Sequence, residues 1–147
     1  MRQLVVFTID KEEFGVGIED VNIIEHMMDI FKIPNTPDYI EGMVNLRGKI
    51  HTIINLRKRF HMPDTESDQD RRIIIVKSSI SAIGLIVDSV KEIITVDEEN
   101  IEAAPKSLSQ LKERYISSMA KAGERIIMLL DLEKVLAADD AAKAVND

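Results

Sequence analysis

At 147 residues, with a formal net charge of −7 and no cysteine, the chain has the length of one domain, or of two very small ones sharing a core. It has no means of forming disulfides, thiolate nucleophiles or cysteine-based zinc sites. The acidic balance argues against a protein that tracks phosphates, and aromatics at 4% without a single tryptophan argue against base-stacking platforms. No apolar run approaches the roughly 18 residues of a membrane span, and the first seven residues are too short for a secretory signal. The expectation is a soluble, acidic, intracellular globular protein that buries roughly 68–70% of its unfolded surface.

β-Branched residues alternating with polar ones dominate the first hundred positions. Residues 4–9 read as a strand, Asp10-Lys11-Glu12-Glu13 as a polar turn, and residues 14–18 as a second strand with Phe14, Val16 and Ile18 on one face. Met27 and Met28, with Ile24, Ile30 and Phe31, make a pliable apolar patch flanked by Glu25, His26 and Asp29, read either as core filling or as an interaction surface. Pro34-Asn35-Thr36-Pro37 pins a loop, after which Gly42-Met43-Val44-Asn45-Leu46 forms a strand, Arg47-Gly48 a tight turn, and residues 49–56 a returning strand. Gly48 is suited to the left-handed backbone such a turn requires. A guanidinium held at that tip keeps its charge and reaches a carboxylate with two parallel hydrogen bonds. An ordinary hairpin with a solvated arginine is the competing reading.

Residues 57–70, polar and containing Pro63, read as an exposed connection. Residues 72–77 form a strand, Ser78-Ser79 a turn, and residues 82–96 two further strands. Residues 107–115 place Leu108, Leu111 and Tyr115 on one helical face after Pro105. Asp131 is a fitting N-cap for a last helix carrying Leu132, Val135 and Leu136 inward, and residues 137–147 form a weakly structured tail.

The second half of the chain echoes the first. Phe14-Gly15-Val16-Gly17-Ile18-Glu19-Asp20-Val21 matches Ile83-Gly84-Leu85-Ile86-Val87-Asp88-Ser89-Val90, and Gly48 with Ile53-Ile54-Asn55-Leu56-Arg57-Lys58 matches Gly123 with Leu129-Leu130-Asp131-Leu132-Glu133-Lys134. Two matched blocks in one order point to duplication. A half of about five short strands is marginal alone, so the two bury a shared apolar seam. The rim of that seam offers a groove for a partner helix.

Catalytic and metal-binding constellations are missing from the pattern. His26, His51 and His61 have no helical ligand spacing, and the acidic runs at residues 97–99 and 139–140 lack the periodicity of a calcium loop. There is no nucleophile elbow and no phosphate-cradling loop, since Gly15 and Gly17 lie inside a strand pattern. Binding is favoured over catalysis, with no cofactor and no metal.

From residue 4 to residue 136 the chain resembles the CheW-like coupling proteins of bacterial chemotaxis. The resembling residues are Phe14-Gly15-Val16 after an acidic turn, Ile33-Pro34-Asn35-Thr36-Pro37, residues 40–48, Ile53-Ile54-Asn55-Leu56-Arg57, Gly84-Leu85-Ile86-Val87-Asp88-Ser89-Val90, and residues 125–136. The resemblance implies a mostly β fold of two five-stranded, SH3-like barrels packed together, with a few short helices and a C-terminal one. Approximate halves at residues 1–62 and 70–136 follow from the repeat. It also implies a non-catalytic adaptor between the cytoplasmic tip of methyl-accepting chemoreceptors and the regulatory domain of the chemotaxis histidine kinase. Such a protein is cytoplasmic and recruited to receptor arrays, with no nucleic-acid partner and no insertion into the membrane. Asn45, Leu46, Arg47 and Gly48 fall on the block that implies receptor contact, and Val21 and Ile24 on the neighbouring apolar strand. Leu85, Val87 and Val90 mark the region expected to meet the kinase. Ile23-Ile24 stands where many relatives have Glu-Ile, with the acid displaced to Glu25, so the resemblance carries no pairing of that acid with Arg47. Ser89 stands where an Asp-Gly-Val block is usual. A CheW-like regulatory module of a kinase- or receiver-linked protein is the alternative, disfavoured by Met1 and by the short sequence after Leu136.

Overall fold

The computed structural model describes residues 1–64, 69–77, 82–104 and 114–137. The strands are β1 (Arg2–Ile9), β2 (Glu12–Gly17), β3 (Val21–His26), β4 (Ile40–Leu46), β5 (Lys49–Asn55), β6 (Arg72–Val76), β7 (Ile83–Val87), β8 (Ser89–Val96), β9 (Ile101–Ala103), β10 (Ile116–Ala122) and β11 (Arg125–Leu130). Among the described residues two short α-helices, α1 (Leu56–Arg59) and α2 (Leu132–Leu136), follow β5 and β11. Both are N-capped, the second as the sequence suggests and the first where it suggests a strand end and an exposed connection: the Lys58 and Lys134 amides donate to the side chains of Asn55 and Asp131, both at 3.3 Å. The expected helix over residues 107–115 and the turn at Ser78-Ser79 fall almost wholly outside the described residues, as does the tail beyond residue 137.

The strands make two packed sheets, one of six in the order β8-β1-β2-β11-β10-β9 and one of five in the order β3-β6-β7-β5-β4. The molecule is thus mostly β, with one strand more than expected because the short β9 extends an edge. Each sheet holds apolar residues on its own concave face. Val44, Ile53, Ile73, Ile75 and Ile86 fill the five-stranded sheet, and Leu4, Val6, Val96, Ala120, Ile127 and Leu129 fill the six-stranded one. A third and larger core lies between the sheets, where Phe7, Phe14, Phe60 and Tyr115 stack in sequence with ring centroids 5.4–6.0 Å apart. This is the shared seam that two marginal halves require.

The sheets do not divide the chain at the 62–70 connection. Strands β3 to β5 of the first half pair with the β6–β7 hairpin of the second, through the parallel pair β5–β7. The β1–β2 hairpin of the first half pairs with β8 and, through the parallel pair β2–β11, with the end of the chain. The duplicated units have exchanged their leading hairpins. Alternation in a sequence states which face of a strand is buried but not which strand lies beside it, so the repeat is visible and the exchange is not.

The connection after β5 is also less exposed than its polarity suggests. Arg57, Arg59 and Phe60 are buried, and α1 closes one end of the seam.

Candidate functional site

The site grows from the two outer strands of the five-stranded sheet. Strand β3 carries a bulge between Val21 and Ile23, which face Val76 and Ile75 in turn. One extra residue reverses the pleat. Val21 therefore packs on the core between the sheets, whereas Ile23, two positions on, packs into the sheet's own concave face. Past the bulge, Ile24 lies opposite Ile74 of the shared core and is 38% exposed, while Glu25 lies opposite Ile73 on the concave side.

Strand β4 reaches the same place from the other edge. The segment after β3 crosses over and forms a bridge in which the Phe31 and Met43 amides each donate to the other's carbonyl at 2.8 Å. Gly42 makes the bridge possible. Its φ is +147°, and a Cβ there would sit 2.1 Å from the Phe31 oxygen. Met27, Met28 and Ile30 on this strap pack into the concave core, so the methionine patch is mainly filling, although Phe31 itself is 68% exposed.

The β4–β5 turn has positive φ at both Arg47 (55°) and Gly48 (86°), the geometry of a two-residue hairpin turn whose twist matches its strands. The left-handed backbone thus extends to the arginine as well as the expected glycine. Asn45 holds the turn from inside, its Oδ1 accepting from the Gly48 amide at 3.0 Å, and Leu46 packs half-buried on the concave core. The Arg47 side chain is 76% exposed, and its Nη2 lies 3.8 Å from Glu25 Oε1. The acid displaced by one position in the sequence is therefore next to Arg47 after all, because the bulge in β3 sets Glu25 on the concave side.

Of the expected receptor-contacting residues, Asn45, Leu46, Arg47 and Gly48 form one turn, joined to β3 through Glu25. Val21 is half-buried against the shared core, and Ile24 is exposed on the face opposite Glu25. The expected kinase region fares differently. Leu85 and Val87 are fully buried between the sheets and cannot touch a partner; only Val90 reaches the rim, half-buried. All five residues of β7 are buried, since a core lies on each of its faces, and alternation gives no warning of that.

A second polar cluster escaped the sequence reading. Arg57 binds the Asp88 carboxylate in bidentate fashion (Nε–Oδ1 2.9 Å, Nη2–Oδ2 2.7 Å), donates to the Pro63 carbonyl at 3.0 Å, and lies 3.4 Å from Asp10. The Asp10 amide donates to Asp88 Oδ2 at 2.7 Å. Burial works to raise the pKa of Asp88, but the hydrogen bonds from Arg57 and from the Asp10 amide outweigh it and hold the carboxyl below its ordinary value. This node joins the β1–β2 turn, α1 and the crossing from β7 to β8. Its two halves were both visible as motifs, Asn55-Leu56-Arg57 and Asp88-Ser89-Val90, with nothing to indicate that they meet. Nearby, Arg59 lies between the rings of Tyr39 and Tyr115, 4.2 and 5.0 Å from their centroids, and donates to the carbonyls of Lys134, Val135 and Ala137 at the end of α2.

His26 and His61 are exposed and His51 is buried, its Nδ1 3.2 Å from the Lys49 carbonyl. Among the described residues no three histidine, aspartate or glutamate side chains converge as a metal site. The two-sheet frame thus presents a strapped edge and a cationic turn at its surface.

The comparisons with known proteins agree. The chain belongs to the CheW-like domain family, whose model matches residues 3–140. It is 32% identical over 145 residues to the chemotaxis protein CheW of Klebsiella aerogenes, covering 99% of this chain and 87% of that protein. Identity to the chemotaxis protein CheW of Bacillus subtilis is also 32% over 145 residues, covering 99% and 93%. The crystal structure of the scaffolding protein TtCheW from Thermoanaerobacter tengcongensis matches with a TM-score of 0.87 at 37% identity over 94% of each chain.

Proposed function

We propose that this chain is a chemotaxis adaptor that couples transmembrane chemoreceptors to the chemotaxis histidine kinase. The observation that carries the receptor side is the Arg47 turn: a permanent charge, largely exposed, on a backbone fixed by the Asn45 hydrogen bond and a glycine. A long pair of 3.8 Å to Glu25 aims the guanidinium without saturating its five donors. The chain contributes geometry and no chemistry. By holding receptor and kinase at a fixed relation, it converts a shift in the receptor tip into a change of contacts at the kinase. No helix among the described residues is long and apolar enough to cross a membrane, so on this reading the chain reaches the receptor array by docking. On this reading the kinase contact lies at the rim around Val90, which is half-buried, with the buried Leu85 and Val87 supporting it from within.

Isothermal titration against a kinase regulatory domain and against a receptor cytoplasmic fragment tests both arms. A transient complex saturates near ~10 μM, so the absence of heat at ~100 μM rejects the corresponding arm. Arg47→Glu, folded as judged by its circular dichroism, should lose receptor binding and keep kinase binding; unchanged receptor affinity removes Arg47 from the site.

A further inference from the structure

Behind the Arg47 turn the concave face of the five-stranded sheet opens into a cleft of about 370 Å³, lined by Asn22, Ile23, Leu46, Arg47, Lys49, His51 and Ile75. Its floor is apolar and its wall is cationic. Lys49, His51 and Ile53 alternate along β5 toward the concave side, so the ammonium of Lys49 and the imidazole of His51 stand on the side from which Arg47 closes the mouth. Glu25 is the acidic group held at this mouth, through its long pair with Arg47. The Lys49 ammonium has no carboxylate partner among the described residues. In a chain whose net charge is −7, a cleft with two cations and one acid at its mouth is locally positive, and local positive charge favours an anionic partner group.

We infer that this cleft receives a carboxylate from the receptor, a single Asp or Glu side chain that enters beside the docked helix and is held by Lys49 and Arg47 together. This rests on the receptor reading given above and adds to it the chemistry of the determinant on the other side. His51 anchors the wall through its Nδ1 contact with the Lys49 carbonyl.

The experiment is titration of a receptor cytoplasmic fragment containing the helical tip into wild-type protein and into Lys49→Glu, at low and high salt, with the kinase regulatory domain as a parallel titrant. Lys49 is exposed, so the variant retains the fold. Receptor affinity should fall roughly fivefold or more at low salt, the difference should narrow as salt screens it, and kinase affinity should be unchanged. One acid-to-lysine change in the fragment should restore binding to Lys49→Glu. Equal receptor affinity of wild type and variant overturns the inference and leaves the receptor reading standing. A loss that no acid-to-lysine change rescues also overturns it, since only a diffuse field is then at work. A wild type that ignores the fragment altogether rejects both.

Discussion

The two sheets are variations on one plan. In each, an imported hairpin lies parallel to the last strand of the other half's set, as β7 to β5 and β2 to β11. In each, a glycine at the same step of that hairpin, Gly84 or Gly15, points into the concave core and leaves room for the neighbours' isoleucine and leucine side chains. Each ends in a helix capped by an Asx residue, and Ile50 and Ile126, at the same step of their strands, are both more than half exposed (54% and 57%). Beyond the extra edge strand β9 of one sheet and the Phe31–Met43 strap of the other, the two differ in a few charges. The tip of the β4–β5 turn carries Arg47, whereas the β10–β11 turn carries Glu124 after Gly123. Arg57 is buried and bound to Asp88, whereas the equivalent Glu133 is exposed. Each sheet takes strands from both parts of the chain, so neither part completes a sheet alone, and the two turn tips differ in charge. The frame rests on apolar volume, the difference between the tips on single side chains.

That contrast can be broken at several depths. The largest effect is expected where the exchange is fastened: Asp88→Ala leaves the buried Arg57 with only the Pro63 carbonyl and the more distant Asp10 and should lower the unfolding free energy by about 3 kcal/mol, read from urea denaturation. Next is the pair of core glycines. A methyl at Gly84 would lie 2.8 Å from both Ile53 Cδ1 and Ile73 Cγ2, whereas at Gly15 the nearest atom is 3.1 Å away. Gly84→Ala should therefore destabilise by about 2 kcal/mol and Gly15→Ala by about 1 kcal/mol. Equal losses would mean that the two concave cores are equally tight. A smaller effect follows from acid. With its folded pKa depressed from 3.8, Asp88 contributes stability that is complete above that value and is lost as the pH falls through the lower folded one. Glu13, lowered from 4.5 chiefly by its hydrogen bond from Arg125, behaves in the same sense. An unfolding series across the acid range should be flatter for Asp88→Asn than for wild type. Smallest of all, Glu124→Lys at the second turn should change stability by no more than about 0.5 kcal/mol and leave receptor affinity untouched, in contrast to Arg47→Glu.

Much of this was legible in the residues. The paired strands around Arg47-Gly48 and the Asp131 cap rest on local chemistry, namely turn residues, an Asx cap and alternation, and they are in place. What depends on neighbours in space was not legible. Residues 57–60 look solvated because two of the four are arginines and one is lysine, yet Arg57 and Arg59 are buried through partners at Asp88 and on α2 that lie far along the chain. Leu85 and Val87 fall in the region the resemblance marks for the kinase, yet β6 and β5 lie on either side of β7 and cores on both its faces. The pairing of Glu25 with Arg47 depends on a bulge at which no glycine or proline stands.

The exchanged hairpins also set an order of events during synthesis. The β1–β2 hairpin leaves the ribosome first, but its neighbours β8 and β11 are among the later strands to be made, the last ending at Leu130. The five-stranded sheet is complete once Val87 has emerged. The second sheet must be assembled onto it with the opening strands of the chain held waiting. A nascent chain halted between these points holds every strand of the five-stranded sheet but lacks the neighbours β8 and β11 that cover the edges of β1 and β2.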